Sequence, residues 1–269
     1  MFKPEVVAAH PELFQGNILI HKDKIFDLYQ SYKTIDTEAK TKLLKNVWDI
    51  EFESFARFID VRNPEHTLYL KSNYLALLKL IDAKIAGLLN LLSTTSLADN
   101  TVVVIRSDHG EEFGEHGQLS HQNNLYQELI HVPLIIKAPS LSPGKIDKPT
   151  QDIDIMPTIL DLVKLPSPAQ AQGKSLLPFM LGKGASVNTY QIAQRSLGGD
   201  VAFIKEGWKL IVLKNQPAEL YDLSTDPKEK HNVIVQEKDR TGQLFEELRR
   251  ITGELKQYPG VNSTIDQID

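Results

Sequence analysis

Five consecutive β-branched residues, Thr101-Val102-Val103-Val104-Ile105, constrain this chain more than any other stretch. A strand with one wet face alternates apolar and polar side chains. This run does not, so it predicts a strand covered on both faces, the habit of a parallel sheet between helices. What precedes it agrees, because Tyr74, Leu78, Ile81, Ile85, Leu88 and Leu92 recur at spacings of four and three, one stripe of a buried helix. Asp99-Asn100 supplies the turn between them. Helix, turn and buried strand together predict an α/β layer.

The pattern continues downstream. Residues 125–130 read as a short helix and residues 132–136 as a second apolar strand, with Pro133 at its start or on an edge. After a linker over residues 139–149, Ile155, Ile159, Leu162 and Val163 share one helical face. Pro157 is tolerated only in a first turn, so that helix begins near Asp154. Composition shifts near Thr189: residues 201–204 and 208–213 read as strands joined by a tight turn at Glu206-Gly207, and residues 219–223 as a third strand. Leu244, Leu248, Ile251 and Leu255 mark a closing helix. The expected architecture is an α/β core over residues 1–188, whose segment 1–71 lacks clear periodicity, followed by a small α+β subdomain over residues 189–269, an antiparallel sheet capped by a helix.

Charge narrows the function. Thirty Lys and Arg against 35 Asp and Glu give a net charge of −5, spread along the chain, so no nucleic-acid partner is expected. Absence of cysteine excludes a disulfide scaffold, a thiolate metal site and a cysteine nucleophile, but leaves the redox compartment open. The longest charge-free apolar stretch, residues 85–98, is interrupted by Asn90, Ser93, Thr94, Thr95 and Ser96 and is too short to span a bilayer. The opening Met1-Phe2-Lys3-Pro4-Glu5 lacks an apolar run and a cleavage site. Neither a membrane span nor a signal peptide is expected, and the localisation stays open.

Chemistry concentrates just after the β-branched run, at Ser107-Asp108-His109-Gly110. Ligands of open α/β sheets gather beyond the carboxyl ends of strands, which delivers Asp108 and His109 to the place where a site would form. Carboxylate and imidazole suit a divalent cation, and Gly110 lets the loop turn both inward. The bare tetrapeptide fits a hydrogen-bonded Asp and a surface His equally well. Its surroundings add weight: Glu111-Glu112-Phe113-Gly114-Glu115-His116-Gly117, His121, Tyr126, Glu128 and His131 follow, which places four of the eight histidines within 23 residues. Taken singly, His116 reads as fixing a turn and His131 as serving backbone carbonyls. Glu111-Glu112 reads as a solvated loop pair, Lys228-Glu229-Lys230 as an exposed turn, and Trp208 and Tyr221 as packed under the tail sheet.

In the run from Asp99 through Gly110, in Gly114-Glu115-His116-Gly117 and in His131-Val132-Pro133-Leu134-Ile135-Ile136, the sequence resembles the sulfatase family of the alkaline-phosphatase superfamily. Tyr74 and Asp82 upstream, Asp154-Ile155-Met156-Pro157-Thr158-Ile159-Leu160-Asp161, Gly173-Lys174-Ser175-Leu176 and Gly182 downstream, and Gly207-Trp208-Lys209-Leu210 with Glu219-Leu220-Tyr221-Asp222-Leu223-Ser224-Thr225-Asp226-Pro227-Lys228-Glu229 in the tail extend the resemblance over about residues 74–255. It implies a partial alkaline-phosphatase-like three-layer α/β sandwich that hydrolyses sulfate esters of small molecules or carbohydrates with a divalent metal. Calcium is the first expectation, zinc or manganese the alternative.

By the same resemblance Asp108 and His109 match one pair of metal ligands, and His121 stands where many members carry a lysine that contacts the sulfate and assists the leaving oxygen. A histidine does this only when protonated, which makes His121 the catalytic candidate. The family's formylglycine nucleophile, made from Cys or Ser in a Cys/Ser-x-Pro-x-Arg motif, has no counterpart here, since the chain lacks Cys and any Ser-x-Pro-x-Arg. The chain therefore reads as the C-terminal portion of a sulfatase, expected by itself to bind metal weakly and turn over little, with an exposed sheet edge open to pairing. The alternatives are a phosphoester hydrolase or phosphoethanolamine transferase of the same superfamily, and a non-catalytic truncated homologue.

Overall fold

The computed structural model describes residues 59–121, 124–183, 188–195, 200–213 and 216–255, without the side chains of 254 and 255. The chain divides into two compact units, Met1–Leu78 and Lys79–Asp269. Most of the aperiodic segment 1–71 lies outside the described residues.

Helix α1 (Pro64–Thr94) begins where the Asn63 side chain accepts a hydrogen bond from the Glu65 amide at 3.0 Å, with Pro64 in the first helical position. It contains the expected stripe from Tyr74 to Leu92 but begins earlier, within the segment that lacked clear periodicity, and the expected burial holds only in part. Leu78, Ile81 and Leu88 are 41%, 53% and 55% exposed. Tyr74, Ile85 and Leu92 of the same stripe are half-buried, so the periodic face is covered in part.

The β-branched run forms β1 (Val103–Arg106), which pairs with β4 (Leu134–Lys137) from Val103↔Lys137 to Arg106↔Leu134. The pairing is antiparallel, not parallel as expected, and β1 is only part-buried. An unbroken apolar run demands cover on two faces but is silent about the direction of the neighbour. Between these strands lie the small hairpin β2 (Glu112–Phe113) and β3 (Leu119–Ser120), then the single turn α2 (Gln127–Ile130). Helix α3 (Ile155–Leu162) starts after Asp154, as Pro157 required, and α4 (Leu177–Met180) follows. Asp154 is fully buried and spends its carboxylate on the Gln151 and Lys174 amides and the Asn188 side chain.

The tail forms one antiparallel sheet in sequence order: β5 (Gln191–Gln194), β6 (Val201–Lys205), β7 (Trp208–Val212) and β8 (Glu219–Asp222). Strand β5 escaped the sequence reading because Gln-Ile-Ala-Gln is short and half polar. The β6–β7 turn holds Glu206 at φ 51° and Gly207 at φ 80°, the left-handed pair that matches hairpin twist.

Strand alternation gives this sheet two buried faces. Val201, Phe203, Leu210 and Leu220 meet Leu244, Leu248 and Ile251 of α5 (Lys238–Leu255), whereas Ala202, Ile211, Leu213 and Tyr221 pack with Leu125. Each large aliphatic side chain so enclosed contributes about 1.5–3 kcal/mol. The second face brings the segment before α2 onto this sheet, and the bond from Gly110 to Leu129 ties the Asp108-His109 loop to α2. No helix among the described residues is long and apolar enough to cross a membrane.

Candidate active site

The loop after β1 is fixed from its backbone outward. The Gly110 amide donates to the Leu129 carbonyl at 2.8 Å, and a β-carbon at Gly110 would overlap the Glu128 carbonyl oxygen, so glycine is needed for close approach and not for a special φ. At the mouth of the loop the Arg106 guanidinium pairs with Asp152 at 2.5 Å. Ser107 Oγ donates to the His109 carbonyl at 2.7 Å, and the His109 amide donates to Asp108 Oδ1 at 3.1 Å.

These bonds settle what His109 offers. Its Nδ1 lies 2.8 Å from the Gly110 carbonyl, which only accepts, so Nδ1 carries a hydrogen, and in the neutral ring the lone pair is on Nε2. Asp108 Oδ2 lies 3.7 Å from that Nε2. Asp108 is 80% exposed at its side chain, and hydrogen bonding to the backbone, followed by the adjacent imidazole, holds its carboxyl below the usual range. The Asp108 carboxylate and the His109 Nε2 therefore lie close together at an accessible position.

His121 joins them. Its ring stacks on that of His109 with centroids 3.9 Å apart and planes 20° from parallel. Its Nδ1 lies 3.2 Å from Glu111 Oε2, an acceptor, which leaves Nε2 for a ligand. His109, Glu111 and His121 each offer a ligand atom within 4.8 Å of the others. Asp108 stands beside this trio and Glu111 is one of it, so Glu111 is engaged and part-buried, contrary to its solvated reading.

A second group, Glu112, His116 and Glu128, also lies within ligand range but is consumed by mutual bonding. Glu112, 2% exposed and also misread as solvated, accepts from the His116 amide at 3.0 Å and from Asn124 Nδ2 at 2.5 Å. His116 Nδ1 bonds Glu128 Oε1, and its Nε2 lies 3.0 Å from the Glu229 carbonyl. In the turn at Lys228-Glu229-Lys230 both lysines are exposed as expected, but the central residue is not. Glu229 is buried, its Oε1 is 2.5 Å from Lys209 Nζ with both side chains 0% exposed, and its Oε2 accepts the Gln127 amide at 2.6 Å. Burial pushes the Lys209 ammonium down and the Glu229 carboxyl up, each against the other's charge.

A signal for this pair was present in the sequence. Lys209 falls between Trp208 and Leu210 in an apolar strand, on the face of Ile211, where a cation must find a partner. Beside it Tyr126 and Tyr221 donate to Glu219 Oε2 at 2.8 and 3.0 Å; burial first, then that carboxylate, pushes both phenols up. Tyr221 packs in the sheet as expected, and Trp208, part-buried against the α5 face, carries Arg240 over its ring at 5.2 Å.

Comparison with known proteins identifies the family and the fold. The family model described as Sulfatase matches residues 22–165, and that described as N-sulphoglucosamine sulphohydrolase, C-terminal, matches residues 114–257. The choline-sulfatase of Rhizobium meliloti is 32% identical over 223 residues, 80% of this chain and 43% of that protein. The solved structure of BT4656, in complex with its substrate D-glucosamine-2-N,6-O-disulfate, superposes with a TM-score of 0.62 at 25% identity, over 88% of this chain and 52% of that one. The phosphonate monoester hydrolase of Silicibacter pomeroyi does so with a TM-score of 0.61 at 26% identity, over 72% and 42%. The chain thus has the alkaline-phosphatase-like fold in part, and spans about two fifths to half the length of the proteins it matches.

Proposed function

Because the chain belongs to the sulfatase family, we propose that it carries the metal-ligating and anion-contacting portion of a sulfate ester hydrolase. One observation carries this reading: Asp108, the free Nε2 of His109 and the ring of His121 converge at the end of β1. Asp108 and His109 would hold a divalent cation, calcium first, with zinc or manganese as ions that an imidazole donor also suits. The donor set fits, since the Gly110 carbonyl fixes the tautomer that a ligand histidine needs. Such an ion would supply a Lewis acid that stabilises negative charge on the ester's oxygens. Calcium takes six to eight oxygen ligands in general, so these two are part of a cage.

In the same reading His121 is the catalytic residue. Protonated, with Glu111 accepting from Nδ1, it donates from Nε2 to the anionic group and returns that proton to the leaving oxygen. The family's formylglycine nucleophile is not among this chain's residues, so no attacking step is assigned to it. The similarity to a choline-sulfatase and to BT4656 in complex with D-glucosamine-2-N,6-O-disulfate supports a sulfated small molecule or carbohydrate as substrate. The phosphonate monoester hydrolase favours a second reading, hydrolysis of a phosphorus ester at the same residues. We also place the end of the α/β core at residue 188, just before β5, and take the edge of β1 opposite β4 as the place where a further strand would pair.

Calorimetric titration of the chain with 4-nitrophenyl sulfate and 4-nitrophenyl phosphate, in calcium, tests the assignment. The sulfate ester should bind more tightly, and His121→Ala should weaken it by about tenfold or more, the worth of one charged hydrogen bond. Tighter binding of the phosphate ester moves the assignment to the second reading. An unchanged affinity in His121→Ala removes His121 from the site.

A further inference from the structure

We propose that His116 is a positioning residue: a protonated imidazole that donates from both ring nitrogens and so bolts the loop bearing His109, Glu111 and His121 to the C-terminal sheet. What the loop positions rests on the hydrolase reading above; the bolt itself does not. Nδ1 meets the Glu128 carboxylate and Nε2 meets the Glu229 carbonyl at 3.0 Å. Both partners only accept, and a neutral imidazole has a single N–H, so one contact would set a lone pair against an oxygen. With Glu128 ionised, only the cation satisfies both.

The ring cannot turn away from these partners. It stacks on Tyr126 with centroids 3.6 Å apart and planes 13° from parallel, and its side chain is 11% exposed. Its amide is held by buried Glu112. Three pieces of chain thus meet at one side chain: the β2–β3 hairpin, α2 and the turn at Glu229.

That turn is itself built for the purpose. Glu229 sits at φ 54°, a left-handed conformation uncommon for a residue with a β-carbon. In it the carbonyl reaches His116 while the carboxylate reaches Lys209 and the Gln127 amide. Next to it, the Lys230 ammonium donates to the Glu115 carbonyl, a second tie from the same turn to the same loop. Burial and the Lys230 charge oppose protonation of His116, but the Glu128 carboxylate and the Glu229 carbonyl outweigh them and hold its pKa above the usual histidine value.

Ring nitrogen-15 NMR of the full chain at neutral pH, with amide hydrogen exchange of residues 111–121, tests the bolt. Both nitrogens of His116 should be protonated. His116→Phe, which keeps the stack on Tyr126 and loses both donors, should speed exchange in the loop by about tenfold or more and leave α5 unchanged, while His116→Gln should fall between. In the wild type, loop exchange corrected for its intrinsic rate should rise as pH passes through the raised pKa. A neutral single tautomer at His116, or loop exchange in His116→Phe equal to wild type, overturns the proposal. So does equal acceleration in α5, because the residue would then serve global stability alone. None of these readouts involves a sulfate ester or a cation, so they stand or fall apart from the hydrolase reading.

Discussion

Replacing Lys209 with methionine strands the Glu229 carboxylate in the core, with the Gln127 backbone amide as the hydrogen-bond donor it keeps among the described residues. Both side chains of the pair are 0% exposed, so water does not screen what is lost. Removing one member of such a pair costs about 3–5 kcal/mol. At about 2–4 °C per kcal/mol for a domain of this size, the melting temperature should fall by roughly 6–20 °C. The loss depends on pH with a definite sign. Burial already pushes the Glu229 carboxyl up, and the variant removes the cation that opposed this. A carboxyl raised in the folded state contributes stability that is complete below its unfolded pKa, roughly 4.3, and lost as pH rises through its folded value. The deficit of Lys209→Met should therefore be smaller at pH 5 than at pH 8. Lys209→Met combined with Glu229→Gln removes both charges, keeps an acceptor for Gln127, and should recover most of the loss. Thermal unfolding followed by circular dichroism at both pH values measures all of this. A double variant as unstable as the single, or a single variant within 1 kcal/mol of wild type at pH 8, would refute the reasoning.

Gly110→Ala should lower stability by about 1–3 kcal/mol, since its β-carbon meets the Glu128 carbonyl and the bond to Leu129 must open; loop exchange should rise with it, and an unperturbed loop contradicts the close approach. Leu248→Ala, at a fully buried position of α5, should cost about 2–5 kcal/mol, read as a lower urea midpoint with an unchanged slope. His116, raised in the folded state, contributes stability that is complete below its unfolded pKa, roughly 6.5, and fades as pH rises through the folded value. The stability gap between wild type and His116→Phe should accordingly narrow from pH 6 to pH 9, and a gap that widens would reverse the assigned protonation.

How much of this was legible in the sequence depends on how local each signal was. Strands β6 to β8 and helix α5 follow from alternation at Val201–Lys205 and Trp208–Val212 and from the spacing of Leu244, Leu248 and Ile251, because those patterns report contacts within one small sheet-and-helix unit. The direction of β1 was not legible, since Val103, Val104 and Ile105 demand cover without naming its source. Nor was the exposure of α1, where Leu78, Ile81 and Leu88 carry the stripe of a covered helix. At the site, Asp108 and His109 stand out by residue type and position, and His121 by the family resemblance. Glu111 and Glu112 do not, because adjacent acids look solvated until a histidine ten residues on or an amide four residues on claims them. Glu229 eluded a local reading for the same reason: its partner is Lys209, and only the hairpin brings the two together.

In the proposed hydrolase Asp108 and His109 together grip a divalent cation. Calorimetric titration of the chain with calcium, and in parallel with manganese and zinc, tests it most directly when repeated on Asp108→Asn and His109→Gln. One cation site in the wild type, weakened by tenfold or more in each variant, is the expected result. Wild-type binding that both variants reproduce unchanged would contradict it.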